Sequence, residues 1–366
     1  MINTNAKIGF LQIFMVMMLF NGLLSHVIVN PMLLDASGRD AWISVLLTAA
    51  IYIPWCVILI YIMHKSGGQK LQPWLAEQTN PLISWILLLP VAVHLYLIGG
   101  MTITQTTIWT ISNYLPATPQ SLLILVLVAV CFYAAIAGLN TITVGAGILL
   151  PVVVVLGYLV SFANMPHKDW MLLKPFLENG WKPAINGMVY AGGAFVEIFL
   201  LLLLQHRVKK KIKAWQIILL GLVLVYITLG PIVGAITEFG PSEAAKQMVS
   251  PYEQWRLVKL GNHIEHVDFL SVFQWLAGAT VRISLAQFLL ADLFPFRKRH
   301  SRNWFIFAVS ISYIVLAISS IYFNSFYLGI FEKYLTISLF VTLILTFVWF
   351  VIACLAKPAR REHNER

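Results

Sequence analysis

Two opposite charges stand inside long apolar runs: Glu197 in AGGAFVEIFLLLLL (191–204) and Arg282 in AGATVRISLAQ (277–287). An ionisable side chain at the centre of a bilayer costs at least about 2.5–3.5 kcal/mol on insertion scales, so it is paired, hydrated or functional. Each lies nine residues from the basic end of its run, about 13 Å at the helical rise. Equal depth predicts that both face a bundle interior, where they pair directly or share a polar cavity; an ion pair that only joins helices is the plainer alternative. Gln274 and Gly278 precede Arg282 at spacings of four, on one helical face, with Thr280 beside them. In FNGLLSHVIVNP (20–31), Asn21 and Ser25 are also four apart and flank Gly22. His26, next to them, reads as a hydrogen-bonded packing residue. A third polar face carries Tyr96, Gly99, Gly100 and TITQTT (102–107), in which Gln105 is the most costly member. Its threonines can satisfy their hydroxyls on their own helix backbone.

This chemistry is recognition rather than bond-making. There is no HExxH, nucleophile elbow, phosphate loop or metal-ligand spacing, so neither a metal nor a cofactor is expected. A helix interrupted inside the membrane offers free N–H groups to an anion and free C=O groups to a cation. Two such helices suit a zwitterion such as an amino acid; a neutral polar solute or an ion is the alternative. The candidate substrate-binding set is Asn21, Gly22, Ser25, Tyr96, Gln105, Gly192, Gly193, Glu197, Gln274, Thr280 and Arg282.

The elements that must position these residues are membrane helices. The chain has 366 residues, 59% hydrophobic and 11% charged, with a mean hydropathy of +0.81. Its apolar blocks are about 20 residues long, the length an α-helix needs to cross hydrocarbon. The predicted fold is an all-α integral membrane protein with ten spans, at 8–34, 41–63, 82–112, 120–138, 142–163, 184–206, 214–237, 267–291, 303–323 and 335–356. The first is too long for a signal-peptide core. Cys56, Cys131 and Cys354 fall inside spans and read as small buried hydrophobes. The net charge of +10 is not a nucleic-acid patch, because it is distributed as a topology signal. With the N-terminus inside, sixteen Lys and Arg fall on cytoplasmic segments and eight on outer ones, which places both termini in the cytoplasm. HRVKKKIK and FPFRKRHSRN then meet lipid headgroups. The remaining Trp, Tyr and Met are expected mostly at the membrane interfaces and lipid-facing positions.

The whole of 1–366 reads as one transmembrane domain, with a first five-helix repeat over 1–163 and a second over 184–356. An odd number of spans per half makes the second enter from the opposite side, as an inverted repeat requires. The first helix of each half should be the interrupted one. Span 1 has its polar stretch at 20–31 and span 6 has NGMVYAGGAFVE (186–197), with the break at Gly192–Gly193; glycines that only allow close helix packing are the alternative. Residues 164–183 suit a loop on the membrane surface. Residues 238–266 read as short amphipathic helices broken at Pro251, an outer lid or a plain connector, and QKLQPWLAEQ (69–78) as a short surface helix. The tail 357–366 is short and charged.

With these features in place, the chain resembles the endospore germination permeases, the B subunits of spore germinant receptors, within the amino acid–polyamine–organocation superfamily. The likeness is carried by DAWISVLL (40–47), by LLKPFLENGWKPAINGMVYAGGAFVEIFLLLLLQH (172–206) and by SPYEQWRLVKLGNHIEHVDFLSVFQWLAGATVRISLAQFL (250–289). Glu197 matches a glutamate habitual in span 6 of that family, and Arg282 a positive residue before Ile-Ser in span 8. The resemblance implies a LeuT-like 5+5 fold in the inner membrane of the spore. It also implies assembly with an A-type subunit and a C-type lipoprotein subunit, and sensing of a small germinant, often an amino acid. LeuT-like transporters commonly hold a cation between spans 1 and 8, so Arg282 is expected to stand in for a transported cation. An ordinary secondary amino acid permease working by alternating access is the alternative function. FNGLLSHVIVNP departs from the glycine-richer break more usual in the family, which implies a different germinant or a weaker interruption.

Overall fold

The computed structural model describes residues 7–259, 266–322 and 324–356, and the described residues are helical apart from loops and one isolated backbone bridge, Ile8 to Val208. Among them, nine helical stretches are long and apolar enough to cross a membrane. The first runs for 56 residues, Phe10–Lys65, and contains both of the first two expected spans. It turns at Gly38, whose φ of +52° is a backbone conformation that side-chain-bearing residues rarely adopt. The chain is thus a multi-pass membrane protein.

In order, α1 (Phe10–Leu23) passes through a π-turn at Leu24–Ile28 into α2 (Asn30–Ser37), and α3 (Ala41–Lys65) follows the turn. A short surface helix, α4 (Leu71–Gln78), leads to α5 (Pro81–Asn113), capped by the Asn80 side chain accepting from the Ile83 amide. Next come α6 (Gln120–Ala137) and α7 (Leu139–Ala163), then a surface loop with Trp170, Met171 and Phe176 exposed. α8 (Trp181–Phe195) tightens into a 3-10 segment, Val196–Leu200, and continues as α9 (Leu201–Leu204). α10 (Ala214–Phe239) is followed by two short helices, α11 (Pro241–Ala244) and α12 (Ser250–Leu257). The bundle closes with α13 (Phe269–Leu293), α14 (Arg299–Tyr322) and α15 (Asn324–Leu355). Part of the expected lid, residues 260–265, and the tail 357–366 lie outside the described residues.

Two stretches form the centre. The most apolar windows of Trp181–Arg207 and Phe269–Leu293 are each 83% buried, against 17% for Leu139–Ala163. A helix covered on all sides belongs to the core of a bundle, and these two carry Glu197 and Arg282. α13 packs on α1, α5, α6 and α7, while α8 packs on α2, α3 and α15.

Several sequence expectations are corrected here. The chain is not interrupted at Gly192–Gly193: α8 runs through both, and the geometry changes only at Val196. The glycines instead admit a neighbour. A Cβ on Gly193 would stand 2.5 Å from the Leu335 carbonyl oxygen of α15, and one on Gly192 would meet only the Leu339 side chain, at 3.1 Å. Close packing, rather than an exposed helix break, explains the pair. Span 1 likewise stays helical, with a π-turn in place of an unwound segment. Pro251 does not break a helix but occupies the first turn of α12, where its missing N–H costs nothing. Cys354 is exposed, unlike Cys56 and Cys131. Nor do the aromatics mostly face lipid: Trp55, Trp74, Trp109, Trp255, Trp275 and Trp349 are all buried.

Candidate functional site: a buried ion pair beside a membrane cavity

Glu197 and Arg282 meet directly. The guanidinium donates from Nη1 to Oε2 at 2.6 Å and from Nη2 to Oε1 at 2.7 Å, and both side chains are shut off from solvent. The fork-on-fork geometry is the strongest form of the interaction and fixes orientation as well as energy. Arg282 also donates to the Phe20 carbonyl of α1 at 2.9 Å and to the Thr102 hydroxyl of α5 at 3.2 Å. Its guanidinium lies 4.7 Å from the centre of the Phe20 ring. Tyr334 of α15 donates to Glu197 Oε1 at 3.3 Å and stacks on His94 of α5. One cation and one anion therefore tie α1, α5, the segment after α8, α13 and α15 into a single hub.

The hub abuts the π-turn. The Val29 amide reaches back five residues to the Leu24 carbonyl, and Asn30 Nδ2 donates to the His26 carbonyl. Such turns are rare and recur at functional sites. One face of α1 and the turn (Met18, Gly22, His26) lines a cavity of about 380 Å³ between α1, α7, α10, α12 and α13. Asn21 and Ser25 are fully buried, and Asn21 Nδ2, Asn21 Oδ1 and Ser25 Oγ have no hydrogen-bond partner among the described residues. His26 donates from Nδ1 to the Ile227 carbonyl at 2.7 Å.

The candidates are thereby sorted. Glu197 and Arg282 form the hub; Gly22 and Gln274 line the cavity. Gln274 is held on both sides, accepting from Trp255 and donating to the Val153 carbonyl. Gly192 and Gly193 serve helix packing. Tyr96 bonds Ser312 of α14, and the Thr280 carbonyl accepts from the Cys131 thiol; neither reaches hub or cavity, and half-buried Gln105 reaches neither. Thr102, Thr104 and Thr107 bond the carbonyl four residues back, as their sequence context implied, and Thr110 does the same. Phe20 and Tyr334 of the hub, and Trp109, Tyr252, Trp255 and Trp275 of the cavity wall, were not singled out by sequence, and Thr102 was read only as part of a polar face. The i, i+8 alignment of Gln274 with Arg282, the candidate Gly22 and the lid reading of 238–266 pointed toward that wall.

Both ends of the bundle are tied. On the α4 side, Asp292 accepts from Arg207 at 2.5 Å and pairs with His206 at 3.0 Å, while the Ile8 amide donates to the Arg207 carbonyl. Burial pulls the nearby Lys70 ammonium below its ordinary range, with Asp292 opposing the shift. On the α12 side, Lys168 pairs with Glu238 at 3.6 Å, and Asn164 donates to the Gln254 carbonyl. Beyond the spans, burial raises the Tyr114 phenol above its usual range, and its hydroxyl donates to Asp268.

A multi-pass helical membrane protein with a sealed charge hub and an adjoining cavity is the class that fold and site define. Within that class, the chain belongs to the spore germination protein family, whose model matches residues 7–328. It is 43% identical to "Spore germination protein XB" of Bacillus anthracis over 348 residues, covering 93% of this chain and 98% of that protein. It is 24% identical to "Putative spore germination protein YfkT" of Bacillus subtilis (strain 168) over 257 residues, 69% of this chain and 70% of that protein.

Proposed function

We propose that this protein is the membrane subunit of a spore germinant receptor. It binds a small germinant within the membrane and passes the event to A-type and C-type lipoprotein partners in the spore inner membrane, both its termini lying in the cytoplasm. The proposal includes ten spans in a LeuT-like 5+5 order, with α1–α2 and α8–α9 as the first helix of each half. The observation that carries the reading is that one element serves both hub and cavity: Phe20 of α1 holds Arg282 through its carbonyl, and His26, six residues on, lines the cavity. A ligand seated against the π-turn changes the free energy of α1's position, and a ligand shifts a conformational equilibrium only through such differential contact. The hub then reports the shift to four other elements.

Exposed helix ends do not supply a zwitterion site, because neither span 1 nor span 6 unwinds. Arg282 supplies a fixed cation between α1 and α13, so coupling to sodium is not required. The alternative is a secondary permease, favoured by one observation: a cavity in the membrane with its α4 side latched by Asp292 is half of an alternating-access cycle. A strain lacking the gene, screened against a germinant panel, tests the receptor reading: one germinant response should disappear. Unaltered germination across the panel, with labelled solute taken up by the protein alone in vesicles, would favour the permease.

A further inference from the structure

The cavity beside the π-turn has a mouth of its own. Its α12 end is covered by the Lys168–Glu238 pair and by Gln254, which donates to the Pro231 carbonyl at 2.8 Å. Its flank is not covered. Val154 and Tyr158 of α7 and Tyr226 of α10 line the cavity, yet they are 41%, 46% and 57% exposed on the outside of the bundle. α7 and α10 share almost no direct packing; the hydroxyls of Tyr158 and Tyr226 interact across the gap. Gly230 leaves open space where a side chain would stand. Both helices are apolar and long enough to span, so this gap faces hydrocarbon rather than water.

Inside, most polar groups are already used. Gln274 is bonded at both ends, Trp255 donates to it, and Trp275 donates to the Thr106 hydroxyl. Lys168 is engaged by Glu238. The exceptions among the described residues are Trp109, whose buried Nε1 has no hydrogen-bond partner, and His26. A carbonyl can only accept, so Nδ1 carries the proton toward Ile227, and in the neutral form of that ring Nε2 is an acceptor. Much of the remaining wall is aliphatic or aromatic, including Trp109 and Trp275 stacked at 4.2 Å.

The geometry points to a binding site for an uncharged, mainly apolar small molecule that carries one hydrogen-bond donor. It enters from the bilayer between α7 and α10 and donates to Nε2 of His26. Among the described residues of the wall, a zwitterion would bury its carboxylate facing no free cation and its ammonium facing no carboxylate, which is the costliest kind of transfer. As the germinant class of this protein, the inference rests on the receptor reading; as a binding site, it does not.

The test uses the full chain in lipid nanodiscs and two probes sharing one ring, 5-fluoroindole (uncharged, one N–H) and 5-fluorotryptophan (zwitterionic), followed by fluorine NMR. 5-Fluoroindole should show a saturable bound signal above its partition into protein-free nanodiscs, displaced by indole; 5-fluorotryptophan should show none. His26→Phe should weaken 5-fluoroindole about tenfold, the cost of an unmet donor. Gly230→Trp, placed where there is open space, should abolish binding with the unfolding temperature retained. Equal or tighter binding of 5-fluorotryptophan, purely non-saturable 5-fluoroindole, or binding unchanged in both variants would overturn the proposal. Because no germination is read, a negative result here leaves the receptor reading standing, and the converse also holds.

Discussion

At the scale of single residues, the buried pair is the feature most legible in the sequence. Glu197 and Arg282 are charges in runs where charge is expensive, at matching distances from basic ends, and they meet in a bidentate bridge. Arg282→Lys should not behave as a conservative change, because an ammonium cannot span two carboxylate oxygens, Thr102 and the Phe20 carbonyl together. It should lower unfolding stability in detergent by about 1–3 kcal/mol, the cost of stranding buried partners. Glu197→Ala should cost more, about 3–5 kcal/mol, because it leaves a buried cation uncompensated. Denaturation in a mild detergent checks both, and stability equal to wild type in either would show that the bridge is not structural. The wall of the cavity was not legible in the same way. A tryptophan in an apolar run has the same composition whether it turns to lipid or to a neighbour, and Trp109 and Trp275 are assigned only by packing.

At the scale of elements, polar and glycine-bearing stretches marked the right two helices and the wrong kind of irregularity. Glycine lowers helix propensity by about 1 kcal/mol, but in hydrocarbon an unwound segment strands backbone groups at several kcal/mol each. The chain keeps its hydrogen bonds in π and 3-10 turns instead. The contrast between Gly192 and Gly193 follows from what each meets. Gly193→Ala pushes a methyl against the α15 backbone, which cannot give way cheaply, whereas Gly192→Ala meets the flexible end of Leu339. In a thermal melt of the purified protein, Gly193→Ala should unfold clearly below wild type and Gly192→Ala within a few degrees of it. The reverse order would contradict the packing role. Asp292→Asn should loosen the α4-side latch by weakening its bonds to His206 and Arg207. Thiol labelling of Leu289→Cys, in a background where exposed Cys354 is replaced, should then speed up; an unchanged rate would show that Asp292 holds no gate.

At the scale of the whole molecule, the hub joins one part of the bundle to the others through buried charge. Arg282 contacts three elements beside its own, and Glu197 adds α15 through Tyr334, so no helix of the hub can move without breaking a bond to a buried charge. If Arg282 takes the place of a transported cation, germination that depends on this chain should proceed equally in sodium-free buffer; a strict sodium requirement would refute that role. The all-helical, multi-pass class was legible because hydrocarbon thickness dictates span length, and the short π-turn was not, because its residues have no composition that α-helices lack. The most direct measurement is the germinant dose response of spores carrying Glu197→Gln in place of the wild-type chain, with the protein quantified in the spore membrane. Gln keeps the shape and one acceptor for Arg282 but removes the charge. The account predicts near wild-type abundance with a displaced or depressed dose response; an unaltered dose response at wild-type abundance would contradict it.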